Sequence, residues 1–467
     1  MKLFKLSLLF TILMLALACN HKKAQELSKI EKPVDSTLTV AIAPEWSKNA
    51  TIYEVNLRQY SKNGTINEFI PHLQRLKDLG IDILWIMPPY PIGKENRKGG
   101  LGSPYSISDY TEINSDLGTK VDFKNLVVAA HKIGMKVILD WVGNHTAFDH
   151  KWTKSHPEWY TKDSLGNITH PPTTDWTDVA DLNYDDPNMR NEMIKDMAYW
   201  VNNFDIDGYR CDVAGFVPND FWLQATDSLN KIKPLFWLAE WDDPSMHYSG
   251  FHMTYGWELH HVMNEIAKGN MEPKQLDSFL IKDSGRYPAE SYRMNFTTNH
   301  DENSWNGTVY ERMGKAADAM TVLAFTWQGM PLIYSGQEAG LNKRLSFFEK
   351  DEINWSDLSK SDFFKKLLAL HHRNEALWNG NYGAKPVRYN CNNDKIYAYS
   401  REKDNFKVIV ILNLSDKNQK FTCELDGEDV NYKNIMTEET KTLSEWEKAY
   451  KNLNPWQYIV LEKQYNN

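Results

Sequence analysis

Cysteine is scarce: four residues in a chain of 467. That excludes a dense disulfide framework. Cys391 and Cys423 lie in the C-terminal region and could pair, whereas Cys211 sits in a strand-like run and reads as a small buried filler. An excess of positive charge is also missing. Lys and Arg number 53 against 62 Asp and Glu, a formal charge of −9 with the signs interspersed. Binding phosphates takes a basic face, so nucleic acid is excluded as a partner, while a neutral ligand is compatible. No apolar run reaches the length of about 20 residues that a membrane span needs. Internal repeats and low-complexity tracts are absent as well.

What is present is alternation. Residues 52–59 read as a strand, 66–79 as a helix stopped at Gly80, and 81–87 as a strand closed by Pro88-Pro89. Residues 123–133 read as a helix ending at Gly134, and 135–140 as the next strand. Strand and helix alternating over some 330 residues imply a parallel sheet, and at this length a (β/α)8 TIM barrel. The fold class expected is therefore α/β, with the barrel over 46–380. A polar insertion rich in Pro, Asp and Thr, at about 146–186, follows the third strand. From 381 to 467 the period changes to two, which predicts a C-terminal antiparallel β-sandwich domain.

Four segments put polar residues at the exits of buried strands. In Asp207-Gly208-Tyr209-Arg210-Cys211-Asp212-Val213, Arg210 and Asp212 are two apart and share a strand face. The cation favours the ionised acid, which suits a carboxylate nucleophile, although an ion pair also serves structure alone. Val137-Ile138-Leu139-Asp140-Trp141-Val142-Gly143-Asn144-His145 is an apolar run ending in Asp, Asn and His. Leu235-Phe236-Trp237-Leu238-Ala239-Glu240-Trp241 ends in a lone glutamate among apolar neighbours. Desolvation there would raise its pKa and hold a proton ready to donate. Met294-Asn295-Phe296-Thr297-Thr298-Asn299-His300-Asp301 ends in a His-Asp pair.

Together these segments resemble the four signature regions of the α-amylase family, glycoside hydrolase family 13. Ala180-Asp181-Leu182-Asn183, Gly329-Met330-Pro331 leading to Gly336-Gln337-Glu338, and Tyr105 match further family signatures. The resemblance runs from about 46 to 465. It implies cleavage of α-glucosidic bonds with retained configuration, mainly α-1,4 bonds in starch-derived glucans or maltooligosaccharides. Asp212 would be the nucleophile, Glu240 the acid and base, and Asp301 the stabiliser of the charged transition state. Arg210 would keep Asp212 ionised. His145 and His300 would bind hydroxyls of the reacting sugar, and Tyr105 would stack beneath it. The chain carries 17 Trp, and among them Trp141, Trp241 and Trp305, beside strand exits, are candidates for stacking on sugar. Val213 after the nucleophile resembles α-1,6-acting and neopullulanase-like oligosaccharidases. A transglycosylase is the nearest alternative, and a non-catalytic glycan-binding lipoprotein is disfavoured because all three carboxylates are kept.

Asn144 matches a frequent calcium ligand of the family, but one asparagine does not make a calcium site. Gly215 and Phe216 stand where many members have lysine and histidine, and residues 61–64 lack an acidic cluster. No metal is expected to be required, with calcium left open. At the N-terminus, Lys2 and Lys5 before an apolar run over 6–18 read as a signal peptide, residues 1–18. Leu15-Ala16-Leu17-Ala18-Cys19 resembles a bacterial lipoprotein cleavage site. A lipid anchor on Cys19 and a flexible tether over 19–45 are expected, hence an exported, membrane-anchored envelope protein. The alternative is a soluble product released by a plain signal-peptidase cut.

Overall fold

The computed structural model describes residues 39–464. The signal peptide, Cys19 and most of the tether lie outside the described residues. Eight parallel strands close into a barrel: β1 (Ile52–Val55), β2 (Ile83–Ile86), β3 (Lys136–Trp141), β4 (Gly208–Cys211), β5 (Phe236–Ala239), β6 (Met253–Tyr255), β7 (Tyr292–Asn295) and β8 (Met330–Tyr334). β1 pairs with both β2 and β8, which closes the ring. Alternation along each strand sorts side chains between the barrel interior and the helices outside. In β4, Tyr209 points outward and donates from its hydroxyl to the Met197 carbonyl at 2.6 Å, while Arg210 points inward among the barrel carboxylates.

The helices outside follow their local signals, with one exception. Lys120–Lys132 opens on a capping box between Thr119 and Asp122. The helix expected over 66–79 is instead broken into Ile66–Phe69, a 3-10 turn at Ile70–His72, and Leu73–Leu79. Pro71 lies at the break, where it lacks the N–H that a continuous helix needs. Strand β6 had no counterpart among the strands expected from sequence; it is three residues long and follows no apolar run.

The tether does not reach Glu45 as expected. The Ala41 N–H donates to the His247 carbonyl at 2.9 Å, Ala43 is buried in the apolar cluster of the barrel interior, and Trp46 packs 5.8 Å from Phe236. These residues cover the end of the barrel where the strands begin. Between β3 and β4, His145–Ala147 pairs antiparallel with Val179–Asp181 at the base of the insertion. The helix Pro187–Phe204, capped by Asp186, returns the chain to the barrel.

The C-terminal region is a six-stranded antiparallel sheet with a small second layer. Tyr397, Tyr399, Val408 and Val410 on one face join the main core. The other face packs on the helix Leu443–Ala449 and on a ladder of Gln419–Lys420 with Asn452–Leu453. Cys391 and Cys423 are disulfide-bonded beside that second layer, and Cys211 is free and buried.

Candidate active site

The exits of the strands converge on one guanidinium. Arg210 is fully buried at the centre of the barrel mouth. Its Nη1 donates to Asp140 Oδ1 and to Asp212 Oδ1, both at 2.8 Å, and its Nε donates to the Tyr255 hydroxyl at 3.2 Å. Nη2 approaches Glu240 Oε1 at 2.9 Å as an ion pair without the alignment of a hydrogen bond. The Trp85 ring lies 4.9 Å from the guanidinium carbon and adds a cation–π contact. The register explains the clustering. Asp140 of β3 is the direct partner of Arg210 of β4, so both interior side chains reach the same layer.

Burial dominates the acids. Desolvation pushes Asp212 up to about 6 despite Arg210, whose charge is divided among three carboxylates. Arg210 thus acts by limiting the rise, which is the sense in which it favours the ionised acid. Desolvation pushes Glu240 further, to about 8, because Asp212 and Asp301 add repulsion that Arg210 does not cancel. Glu240 Oε2 accepts from the Val213 N–H at 2.8 Å. Val213 holds φ 36° and ψ 48°, a left-handed conformation that is costly for a β-branched residue. That conformation turns the amide after Asp212 toward Glu240.

A second cation completes the floor. Burial alone would push His300 down, but Asp301 and Glu54 outweigh it and pull it up to about 9. Its Nδ1 is bonded to Glu54 of β1 and its Nε2 lies 2.7 Å from the Tyr105 hydroxyl. Tyr105 donates in turn to Asp140 Oδ2 at 3.1 Å, and Trp85 Nε1 donates to the same oxygen at 3.0 Å. A continuous line therefore runs from Glu54 through His300, Tyr105 and Asp140 to Arg210. The Tyr105 and His300 rings stack with centroids 5.4 Å apart. Asp301 is a third exposed, its Oδ2 3.4 Å from His300 Nε2.

These groups open into a cleft of about 500 Å³, lined among others by Tyr105, His145, Asp212, Glu240, His300 and Asp301. His145 is buried, which pushes it down to about 4, so it is neutral at ordinary pH. Its ring lies 5.6 Å from Trp176 of the insertion. Two aromatic groups flank the carboxylates. On one side, Phe216 stands 6.0 Å from Trp176 and 5.6 Å from Trp241. A Cβ on Gly215 would overlap the Trp241 indole, which explains glycine there. On the other side, Trp305 packs 4.9 Å from Phe347 and 5.8 Å from Phe348.

Of the three tryptophans singled out from sequence, Trp305 is 51% exposed and lines the cleft, and Trp241 is half-buried beside Phe216. Trp141 does not belong with them. It is fully buried and stacks 4.8 Å from Tyr110, because residues next to an inward Asp140 point outward. Sequence reasoning named Asp140 at a strand exit but gave it no role, and missed Glu54, Trp85, Tyr255, Trp176, Phe347 and Phe348. Glu54 carried a usable signal, a carboxylate inside a four-residue strand that is otherwise apolar or aromatic.

Asn144 is buried, and its amide nitrogen lies 3.3 Å from His145 Nδ1. Among the described residues no three His, Cys, Asp or Glu side chains converge as a metal would need. Calcium takes six to eight oxygens, amide and backbone carbonyls as well as carboxylates, of which the Asn144 side chain offers one.

The closed barrel with a cleft of acids at its strand exits is the frame of a TIM-barrel enzyme, and its likeness to known proteins says of which kind. The family profile described as "Alpha amylase, catalytic domain" matches residues 43–177, 170–233 and 224–384. The chain belongs to the alpha-amylase family of glycoside hydrolases. It is similar to the crystal structure of a noncanonic maltogenic alpha-amylase from Thermotoga neapolitana, at 31% identity and TM-score 0.80, covering 90% of this chain and 99% of that one. An alpha-amylase from Lactobacillus plantarum superposes with TM-score 0.79, also at 31% identity, over 89% of this chain and 99% of that one. An alpha-amylase of Haloarcula japonica is 28% identical over 80% of this chain, which spans 57% of that protein's length.

Proposed function

We propose that the enzyme hydrolyses α-1,4-glucosidic bonds of maltooligosaccharides with retained configuration. The observation that carries this reading is the single guanidinium of Arg210, which holds Asp212 and Glu240 on adjacent nitrogens at the cleft floor. Asp212 attacks the anomeric carbon as the bond to the glycosidic oxygen breaks, and that oxygen takes the proton of Glu240. A water then attacks the glycosyl-enzyme, gives its proton to Glu240, and frees Asp212. Asp301, with His300, faces the positive charge that develops on the ring. Neutral His145 and charged His300 hydrogen-bond its hydroxyls, and Tyr105 supports it from below.

Chromatography of products from maltoheptaose, pullulan and isomaltose tests this. Short maltooligosaccharides from maltoheptaose support the reading. Preferred cleavage of pullulan or isomaltose would replace it with the α-1,6 or neopullulanase-like alternative, to which Val213 points. Products longer than the substrate would indicate transglycosylation, and binding without turnover would leave only a glycan-binding role. The chain is proposed to act at a bacterial envelope, anchored through Cys19, because a basic start and an apolar run precede that cysteine. Palmitate labelling that survives Cys19→Ala would sink that part.

A further inference from the structure

The cleft is walled on one side by a loop that contributes Lys98 and Ser103 to its lining. Residues 93–103 leave the exit of β2 and are fastened at both flanks. Toward the insertion, the Lys94 N–H donates to Asp149 Oδ2 at 2.8 Å. Lys98 Nζ donates to the Asp175 carbonyl at 2.7 Å and pairs with Asp178 Oδ1 at 3.3 Å. Toward the loop after β8, the Leu101 N–H donates to the Phe348 carbonyl at 3.0 Å, and the Gly100 N–H is bonded to the Glu349 carboxylate. Arg58 Nη1 ties Gly102 to Phe347, donating to their carbonyls at 2.9 and 3.0 Å. The approach is close enough to need glycine. A Cβ on Gly99, at φ +65°, would overlap Phe348, and one on Gly100 would overlap Glu349.

The ring order gives this bridge its meaning. The leaving group must lie beside the acid Glu240, at the exit of β5. In a closed ring of eight, β1 stands across from β5. The bridge joins the insertion after β3 to the loop after β8, and so spans the arc β8–β1–β2–β3 opposite the acid. Tyr105, which supports the reacting sugar, follows the bridge by two residues, and Phe347 stacks 6.1 Å from it. A glucan continuing beyond the reacting sugar toward its non-reducing end would run into this wall.

Resting on the function proposed above, we infer that the bridge 93–103 closes the donor end of the cleft. The enzyme then removes units from free non-reducing ends of short maltooligosaccharides rather than cutting within long chains. The test compares maltoheptaose with a maltoheptaoside whose non-reducing end is blocked by an acetal, using the full-length protein. Blocking is expected to cut kcat/KM by about a hundredfold, the order that a steric mismatch in a fitted pocket gives. Lys98→Ala, which releases the bridge from the insertion, is expected to recover part of the activity on the blocked substrate. Equal cleavage of both substrates overturns the inference while leaving the hydrolase reading intact. No cleavage of the free-ended substrate overturns the hydrolase reading and the inference with it.

Discussion

Arg210 and Arg401 are both fully buried, and they do different work because their partners differ. Arg210 faces three carboxylates, whose attraction outweighs burial and raises its pKa. Among the described residues Arg401 meets no carboxylate. It donates to the carbonyls of Ala384 and Trp327 at 2.7 Å, of Trp378 at 3.2 Å and of Thr326 at 3.4 Å. Burial pushes it down to about 9. Carbonyl dipoles satisfy its donors but leave its charge unneutralised. Arg401 is a staple between the C-terminal sheet and the end of helix Ala317–Thr326. Arg210 is an electrostatic hub on which three acids converge, and the function proposed above gives it the task of ordering them. Burial alone therefore does not mark a functional cation; the charge of its partners does.

The largest effect expected follows from emptying the hub of its nucleophile. Asp212→Asn should lower kcat by about 10⁴-fold or more, as loss of a nucleophile does elsewhere, with little change in thermal melting. Near-full activity in that variant would end the assignment. Next is Arg210→Lys. A lysine lacks the planar fork that holds two acids at fixed geometry, so kcat should fall about 10²- to 10³-fold. Retained activity there would make Arg210 a staple like Arg401 and erase the contrast.

The acids predict the pH profile. Asp212 must be ionised and Glu240 protonated, so kcat/KM should rise through about pH 6 and fall through about pH 8. In Arg210→Lys the acid limb should move upward, because the cation that restrains Asp212 is placed less well. A profile flat across that range in the parent enzyme would refute the assignment of both roles. Arg401→Met belongs at the other pole of the comparison. Leaving carbonyls without a donor costs about 1–3 kcal/mol, so thermal melting should fall by about 1–3 °C in a chain of this size. Turnover per folded molecule should stay at the parent value, and a drop in kcat without a drop in melting temperature would contradict the staple role.

Much of the hub was legible in the sequence, because polar residues ending apolar strands are conspicuous. Arg210 with Asp212, Glu240, and His300 with Asp301 all stood at such exits. What stayed hidden depended on pairing between strands. Asp140 joins Arg210 only through the β3–β4 register, and Glu54 meets His300 across 246 residues. Arg401 was hidden for a related reason. It ends a run that alternates as a two-sided strand does, and only docking of that sheet on the barrel decides which face is dry. Trp141 was misplaced by neighbourhood in sequence, where period two sends it to the opposite side from Asp140. β6 escaped because three residues between Gly250 and Gly256 carry no apolar run.

The smallest effect expected concerns metal. If a divalent cation shared the work of Arg210, its removal would change the acids and the stability of the insertion together. We propose that no such cation is required. The Asn144 amide faces His145, and among the described residues no trio of His, Cys, Asp or Glu converges as a metal would need. Gly215 and Phe216 add no donor to the nucleophile turn; glycine there is tied to the Trp241 ring instead. On that proposal the positive charge of the mouth comes from Arg210 and His300. Dialysis against EDTA should leave the pH profile and the melting temperature unchanged. A fall in melting temperature restored by calcium would place an ion at the insertion and demote Arg210 from hub to one of two cations.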